Sequence, residues 1–254
     1  MAALELGFGN DHGRGGLGAG TLSRARPVVL VGGWDSSRGA GLDADREALA
    51  CVGQPARVVL SAITEQTEEG VLNSWVLPPG ALKAQYKAAL VGAGAVKIGM
   101  LGTRASVEAI LECVGETEIP TVLDPVMAAS SGGELLSGAG IEALRERLSA
   151  KVTLVTPNLP EFEALGGLEW ARGSGTAVLL KGGHMDSEGL VDRLWLKDGS
   201  EHRFEHRRIP GVSLRGTGCR LASAIAASLA NGQPLLEAVS EGIAWLQEQM
   251  SQEL

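Results

Sequence analysis

Apolar residues in this chain follow two patterns that take turns. From Pro27 onward, short β-branched runs bounded by Gly, Pro or Asp recur: VVLVGG (28–33), VVLSAIT (58–64), AVKIGM (95–100), TVLDPV (121–126), VTLVTPN (152–158) and AVLLKGG (177–183). Unbroken apolar runs of this length suit strands buried on both faces. Between them, residues 79–93, 104–115 and 137–149 are amphipathic, and two apolar-periodic stretches, 217–231 and 235–250, close the chain. These predict helices. Residues 190–206 read as a hairpin turning at Asp198-Gly199.

The alternation of strand and helix predicts an α/β fold: a mostly parallel sheet with helices on both faces, and ligands at the carboxyl ends of the strands. The polar residues at those ends are Asp35, Gln66, Lys97, Asp124, Asn158 and Lys181. Residues 1–26, rich in Gly and polar side chains, read as a flexible N-terminal tail, and 27–254 as one domain, a size that a single core can support.

Composition narrows the function. The net charge is −8, from 22 basic and 30 acidic residues, and the basic ones form no stripe that could track a phosphate backbone, so nucleic acid is not an expected partner. No segment approaches the roughly 20 apolar residues of a membrane helix, and the start has no basic region leading into an apolar one, so neither a membrane span nor a secretory signal is expected. Three cysteines at unrelated spacings read as reduced thiols, which suits the cytoplasm.

The sharpest chemical signal is RGTGCRLASAIAASLANG (215–232). Glycines on both sides of Thr217 at the opening of an Ala-rich helix direct free backbone N–H groups and the positive end of the helix dipole at one small volume, an anion site. Cys219 falls in the first turn, where the dipole is expected to lower its pKa and supply a thiolate base. GTGC alone fits equally well a buried Cys at a glycine-bounded helix start. In TPNLPE (156–161), Asn158 and Glu161 fall on one side of a first helical turn, as Mg²⁺ ligands or as an acid favoured at a helix N-terminus. LDPVM supplies Asp124, which holds metal-bound water or caps a turn. LLKGGH supplies Lys181 with two glycines that let backbone approach a phosphate. VGGWDSSRGAGLDAD (31–45) does not meet GxGxxG and reads as a small-molecule pocket, with Asp45 at the helix start. His184, His202 and His206 show no ligand spacing.

In their order, GGWDSSRGAGLDAD, AVKIGML, LDPVM, TPNLPE, LLKGGH and GTGC resemble the ribokinase superfamily, and within it the hydroxymethylpyrimidine/phosphomethylpyrimidine kinase family of thiamine biosynthesis, over about residues 27–250. The resemblance implies a ribokinase-like three-layer sandwich and ATP-dependent phosphorylation of a hydroxymethyl group with Mg²⁺. It implies Cys219 as base; Gly216, Thr217 and Gly218 as the anion hole; Lys181 as the charge on the phosphoryl; and Asp124, Asn158 and Glu161 around Mg²⁺, partly through water. Substrate contacts fall on Gly33, Ala40, Asp45, Gln66, Met100 and Val126, the last two sandwiching the ring. The chain departs from the family at Arg38 in a usual glycine position, at Glu65-Gln66-Thr67-Glu68, at Arg215 and Arg220 flanking GTGC, where they add positive charge by the phosphates, and in a short 161–181 crossover. Pyridoxal or pyridoxine kinase is the alternative enzyme, and a pyrimidine-binding sensor the alternative outside catalysis. Apolar helices at the sheet's flank allow a homodimer.

Overall fold

The computed structural model describes residues 25–37, 39–67, 70–129, 132–182, 189–209 and 215–252. Residues 1–24 of the expected tail, Arg38, Glu68 and His184 lie outside the described residues. Arg26, at the expected end of that tail, is bonded to the domain: its guanidinium donates to the Ala93 carbonyl at 2.5 Å, and its own carbonyl accepts from Gln54.

The first half of the chain runs β1 (Val28–Asp35), α1 (Gly41–Cys51), β2 (Ala56–Thr67), β3 (Gly70–Val76), α2 (Pro79–Leu90), β4 (Ala95–Ile98), α3 (Arg104–Gly115) and β5 (Thr121–Leu123). The second half runs α4 (Gly138–Ala143), β6 (Leu154–Val155), α5 (Leu159–Leu165), α6 (Gly167–Gly173), β7 (Ala177–Leu180), β8 (Gly189–Trp195), β9 (Glu201–Arg207), α7 (Thr217–Ala230) and α8 (Leu235–Gln252). The helix expected over 137–149 begins at Gly138 behind a Ser137 cap but continues past Ala143 as a π turn, Leu144–Leu148, and a 3-10 turn, Ser149–Lys151.

Nine strands form one sheet in the order β3-β2-β1-β4-β5-β6-β7-β8-β9. The six central strands are parallel, and β3, β8 and β9 are antiparallel at the two edges. Side chains alternate across a strand, so β1 divides its apolar run between two cores. Val29 and Val31 pack with Leu82, Tyr86 and Ile110 of α2 and α3 on one face; Val28 and Leu30 pack with Leu49, Leu221, Ile225 and Val239 of α1, α7 and α8 on the other. Each fully buried Val or Leu contributes about 1.5–3 kcal/mol, which makes an unbroken apolar run the favoured sequence for a strand covered on both sides. The result is the expected three-layer sandwich. The 190–206 hairpin forms as β8 and β9, turning through Gly199 at φ +86°. The edge strand β3 has no counterpart in the sequence-based expectation.

Candidate active site

The carboxyl ends of β1, β2, β4, β5, β6 and β7 and the first turn of α7 enclose a cavity of about 690 Å³. The residues to which the family resemblance assigns a role line it: Gly33, Ala40, Asp45, Gln66, Met100, Asp124, Val126, Asn158, Glu161, Lys181, Gly216, Thr217, Gly218 and Cys219. Asp35, Thr64, Lys97 and Arg215 line it as well.

Gly216 caps α7 in the left-handed conformation, φ +71°, where an added Cβ would come within 3.1 Å of the Gly39 carbonyl and 3.3 Å of Ala40 Cα; among the described residues no side chain caps the first turn. The leading N–H groups of a helix lack intrahelical partners, so this arrangement fits an anion. Within that turn Cys219 directs its thiol at Asp124, Sγ to Oδ2 3.3 Å, while Lys181 binds the other oxygen of Asp124 at 2.9 Å. Burial works upward on the Asp124 carboxyl, but Lys181 and Lys97 outweigh it and hold the group below the ordinary carboxylate value. The thiol behaves opposite to the dipole-based expectation. Burial pushes it up to about 12, with Lys97 pulling the other way and the Asp124 and Asp45 carboxylates adding to the rise. In the ligand-free protein Cys219 is therefore a neutral thiol and a hydrogen-bond donor.

A second buried pair lies deeper. Lys97 on β4 and Asp45 on α1 meet at 2.8 Å, both side chains 1% exposed, and Ser223 of α7 donates to Asp45 Oδ1 at 2.8 Å. Burial raises the Asp45 carboxyl above its ordinary range. Asp45 thus lines the cavity as part of an ion pair, a partnership that the sequence does not reveal. At the ends of β1 and β2, Gln66 donates to Thr64, which donates to the Trp34 carbonyl, and the buried Asp35 Oδ2 has no partner among the described residues.

Asn158 and Glu161 form a capping box on α5: Asn158 Oδ1 accepts from the Glu161 N–H and Glu161 Oε2 from the Asn158 N–H, each at 2.9 Å. The helix-terminus role is thus realised. Burial still pushes Glu161 up to about 7, Lys181 opposing and Asp124 adding, so this carboxylate lacks full cationic compensation. That fits Mg²⁺, which takes one or two carboxylates together with water and phosphate oxygens. Among the described residues no group of three or more His, Cys, Asp and Glu could by itself hold a metal ion.

Two expectations are corrected. Arg220 turns away from the cavity and pairs with Glu47 of α1 at 2.6 Å, so of the two arginines that flank GTGC it is Arg215 that lines the cavity. Gly182 does not offer its N–H to the cavity: it donates to Asp192, at 2.6 Å.

The family model described as phosphomethylpyrimidine kinase matches residues 35–254. The chain is 39% identical over 230 residues to hydroxymethylpyrimidine/phosphomethylpyrimidine kinase of Streptomyces coelicolor, covering 84% of each. It is similar to the crystal structure of phosphomethylpyrimidine kinase from Clostridium difficile, with TM-score 0.74 and 31% identity over 89% of this chain and 99% of that one. It is also similar to the ADP complex of Bacillus subtilis pyridoxal kinase, with TM-score 0.78 and 26% identity over 87% and 90%. No helix among the described residues is long and apolar enough to cross a membrane.

Proposed function

Because the chain belongs to the phosphomethylpyrimidine kinase family, we propose that it transfers the terminal phosphoryl group of ATP to the hydroxymethyl oxygen of hydroxymethylpyrimidine, and then to the phosphate of the resulting monophosphate, in thiamine biosynthesis or salvage. The observation that carries this reading is the convergence, in one cavity, of the glycine-capped α7 turn, Lys181, and a thiol hydrogen-bonded to a carboxylate. Phosphoryl transfer asks mainly for positioning and charge neutralisation, and these parts supply both.

In this reading the Gly216–Cys219 turn cradles the phosphoryl and Lys181 exchanges Asp124 for a phosphate oxygen. Loss of the lysine contact raises the proton affinity of Asp124, which then receives the Cys219 proton across their existing hydrogen bond. The sulfur in turn accepts the proton of the substrate hydroxyl as its oxygen attacks phosphorus and ADP leaves. Its Oδ2, already bonded to the Cys219 thiol, places Asp124 for this proton transfer. Asn158 and Glu161 would hold Mg²⁺ through water, and the ion would neutralise phosphate charge. Gln66 and Asp35 on the cavity wall offer polar partners to an aminopyrimidine edge, between the Met100 and Val126 side chains.

The test is ATP consumption, with product identification, on hydroxymethylpyrimidine, its monophosphate and pyridoxine. Turnover of the first two in preference to pyridoxine is expected. Turnover of pyridoxine alone would replace this reading with pyridoxine kinase, and ligand binding without ATP consumption would leave a sensor.

A further inference from the structure

We infer that Asp192, oriented by His206, is a positioning residue for Lys181. The inference rests on the phosphoryl-transfer reading for the purpose of that lysine, and on the hydrogen bonds alone for its placement. The β7–β8 ladder pairs Val178 with Trp195, Leu179 with Leu194 and Leu180 with Arg193, and there it stops. At the next rung a side chain takes over: the Gly182 N–H donates to Asp192 Oδ1 at 2.6 Å. On its other side the Lys181 N–H is bound to the Pro157 carbonyl at 3.0 Å. The backbone around Lys181 is therefore fixed on both sides, by the loop after β6 and by β8, and its ammonium emerges at Asp124 Oδ1. Gly182 must be a glycine for this close approach, since an added Cβ would run into the backbone of Val191.

Asp192 is itself held. Its side chain is 6% exposed, and Oδ2 lies 3.1 Å from His206 Nε2 on β9. The Gln247 amide of α8 meets His206 Nδ1 at 3.0 Å. With the amide donating to Nδ1, the ring carries its proton on Nε2 and donates it to Asp192, so each partner in the series is satisfied. A buried carboxylate costs stability unless its oxygens are hydrogen-bonded. Here the satisfied carboxylate lies one residue beyond the lysine that faces the phosphate.

The test uses the full chain and calorimetric binding of two probes separately: a non-hydrolysable ATP analogue with Mg²⁺, and hydroxymethylpyrimidine. Asp192→Ala should bind the analogue about tenfold more weakly, the worth of one charge-assisted hydrogen bond at the lower end of its range, with pyrimidine affinity unchanged. Asp192→Asn keeps an oxygen acceptor for Gly182 and should restore most of the loss. His206→Ala should shift the analogue in the same direction by a smaller factor. A purely structural role would reduce the yield of folded protein and leave both affinities in the folded fraction alone. Wild-type analogue binding in Asp192→Ala, or equal weakening of both probes, overturns the inference. Should the alanine variant not fold, His206→Ala decides, and unchanged analogue affinity in that variant also overturns it. Binding needs no turnover, so a wild-type protein inactive on the pyrimidine would sink the substrate assignment and leave this comparison intact.

Discussion

Replacing Lys97 by Met removes the cation from the deepest ion pair while keeping much of the side-chain volume. Asp45 then retains the Ser223 hydroxyl on Oδ1, but Oδ2 loses its donor in a setting where the side chain is 1% exposed. Breaking a buried pair from one side costs about 3–5 kcal/mol, a large part of the roughly 5–15 kcal/mol that holds a domain folded. The loss is capped because Asp45 can take up a proton. Its carboxyl already sits above the ordinary value through burial, with Lys97 the largest opposing influence, and removing Lys97 raises it further. A carboxyl whose folded-state pKa is raised is stabilised at low pH, and that stability is lost as pH rises through the raised value. Lys97→Met should therefore be destabilised more at pH 8 than at pH 5. The double variant Lys97→Met, Asp45→Asn carries no buried charge and should recover at least half of the loss. Urea unfolding followed by fluorescence of the five tryptophans, at pH 5, 6.5 and 8, measures all three chains. A loss below about 1 kcal/mol, the net worth of one ordinary hydrogen bond, or a loss independent of pH, would refute the reasoning.

Three further outcomes are expected. Cys219→Ser should lose about 10²- to 10⁴-fold in kcat with substrate affinity nearly unchanged, and in the ligand-free wild type the thiol, pushed up to about 12, should react with iodoacetamide far more slowly at pH 8 than a free thiol; wild-type turnover by the serine variant would leave Cys219 a packing residue. With Glu161 up from 4.5 to about 7, the unfolded chain releases this proton first as pH rises, so metal-free stability should fall between pH 4.5 and 7 by roughly 3 kcal/mol; Glu161→Gln should remove that dependence, and an identical pH slope in the two chains counts against it. Gly33→Ala places a Cβ 2.7 Å from Met100 Sδ, so it should raise KM for the pyrimidine and not for ATP; equal changes in both would mean that Met100 does not face the ring.

What could be read from the chain and what could not divide on physical lines. Strands such as β1 and β5 are legible because burial on both faces demands an apolar run, and α3 is legible at 104–115 because its buried residues form an apolar stripe. The edge strand β3 is missed because its neighbourhood makes no such demand: Leu72 and Trp75 are 59% and 57% exposed, with Asn73 and Ser74 between them. That the site residues share one cavity is legible because strand ends gather at one side of a parallel sheet. Pairings within it are not. That Asp45 meets Lys97, that Arg220 turns to Glu47 and that Gly182 faces β8 depend on directions fixed by packing. The direction of the Cys219 shift is not legible because a helix start is a local feature, whereas burial among Asp124 and Asp45 is a property of the assembled molecule.

The hydrogen bond from Ser223 to Asp45 spans 178 residues of chain, which makes it an event in time as well as in space. A ribosome adding about 5–20 residues per second needs roughly 9 to 36 seconds to go from Asp45 to Ser223. Lys97 follows Asp45 after 52 residues, so the aspartate meets its cation early and its hydroxyl late. The thiol likewise trails the carboxylate it binds by 95 residues. A nascent chain that has completed every parallel strand still lacks the helix that closes the cavity. Such a chain lacks the α7 turn that is proposed to cradle the phosphoryl group, so on that reading the nucleotide can stabilise the fold only after α7 has been made.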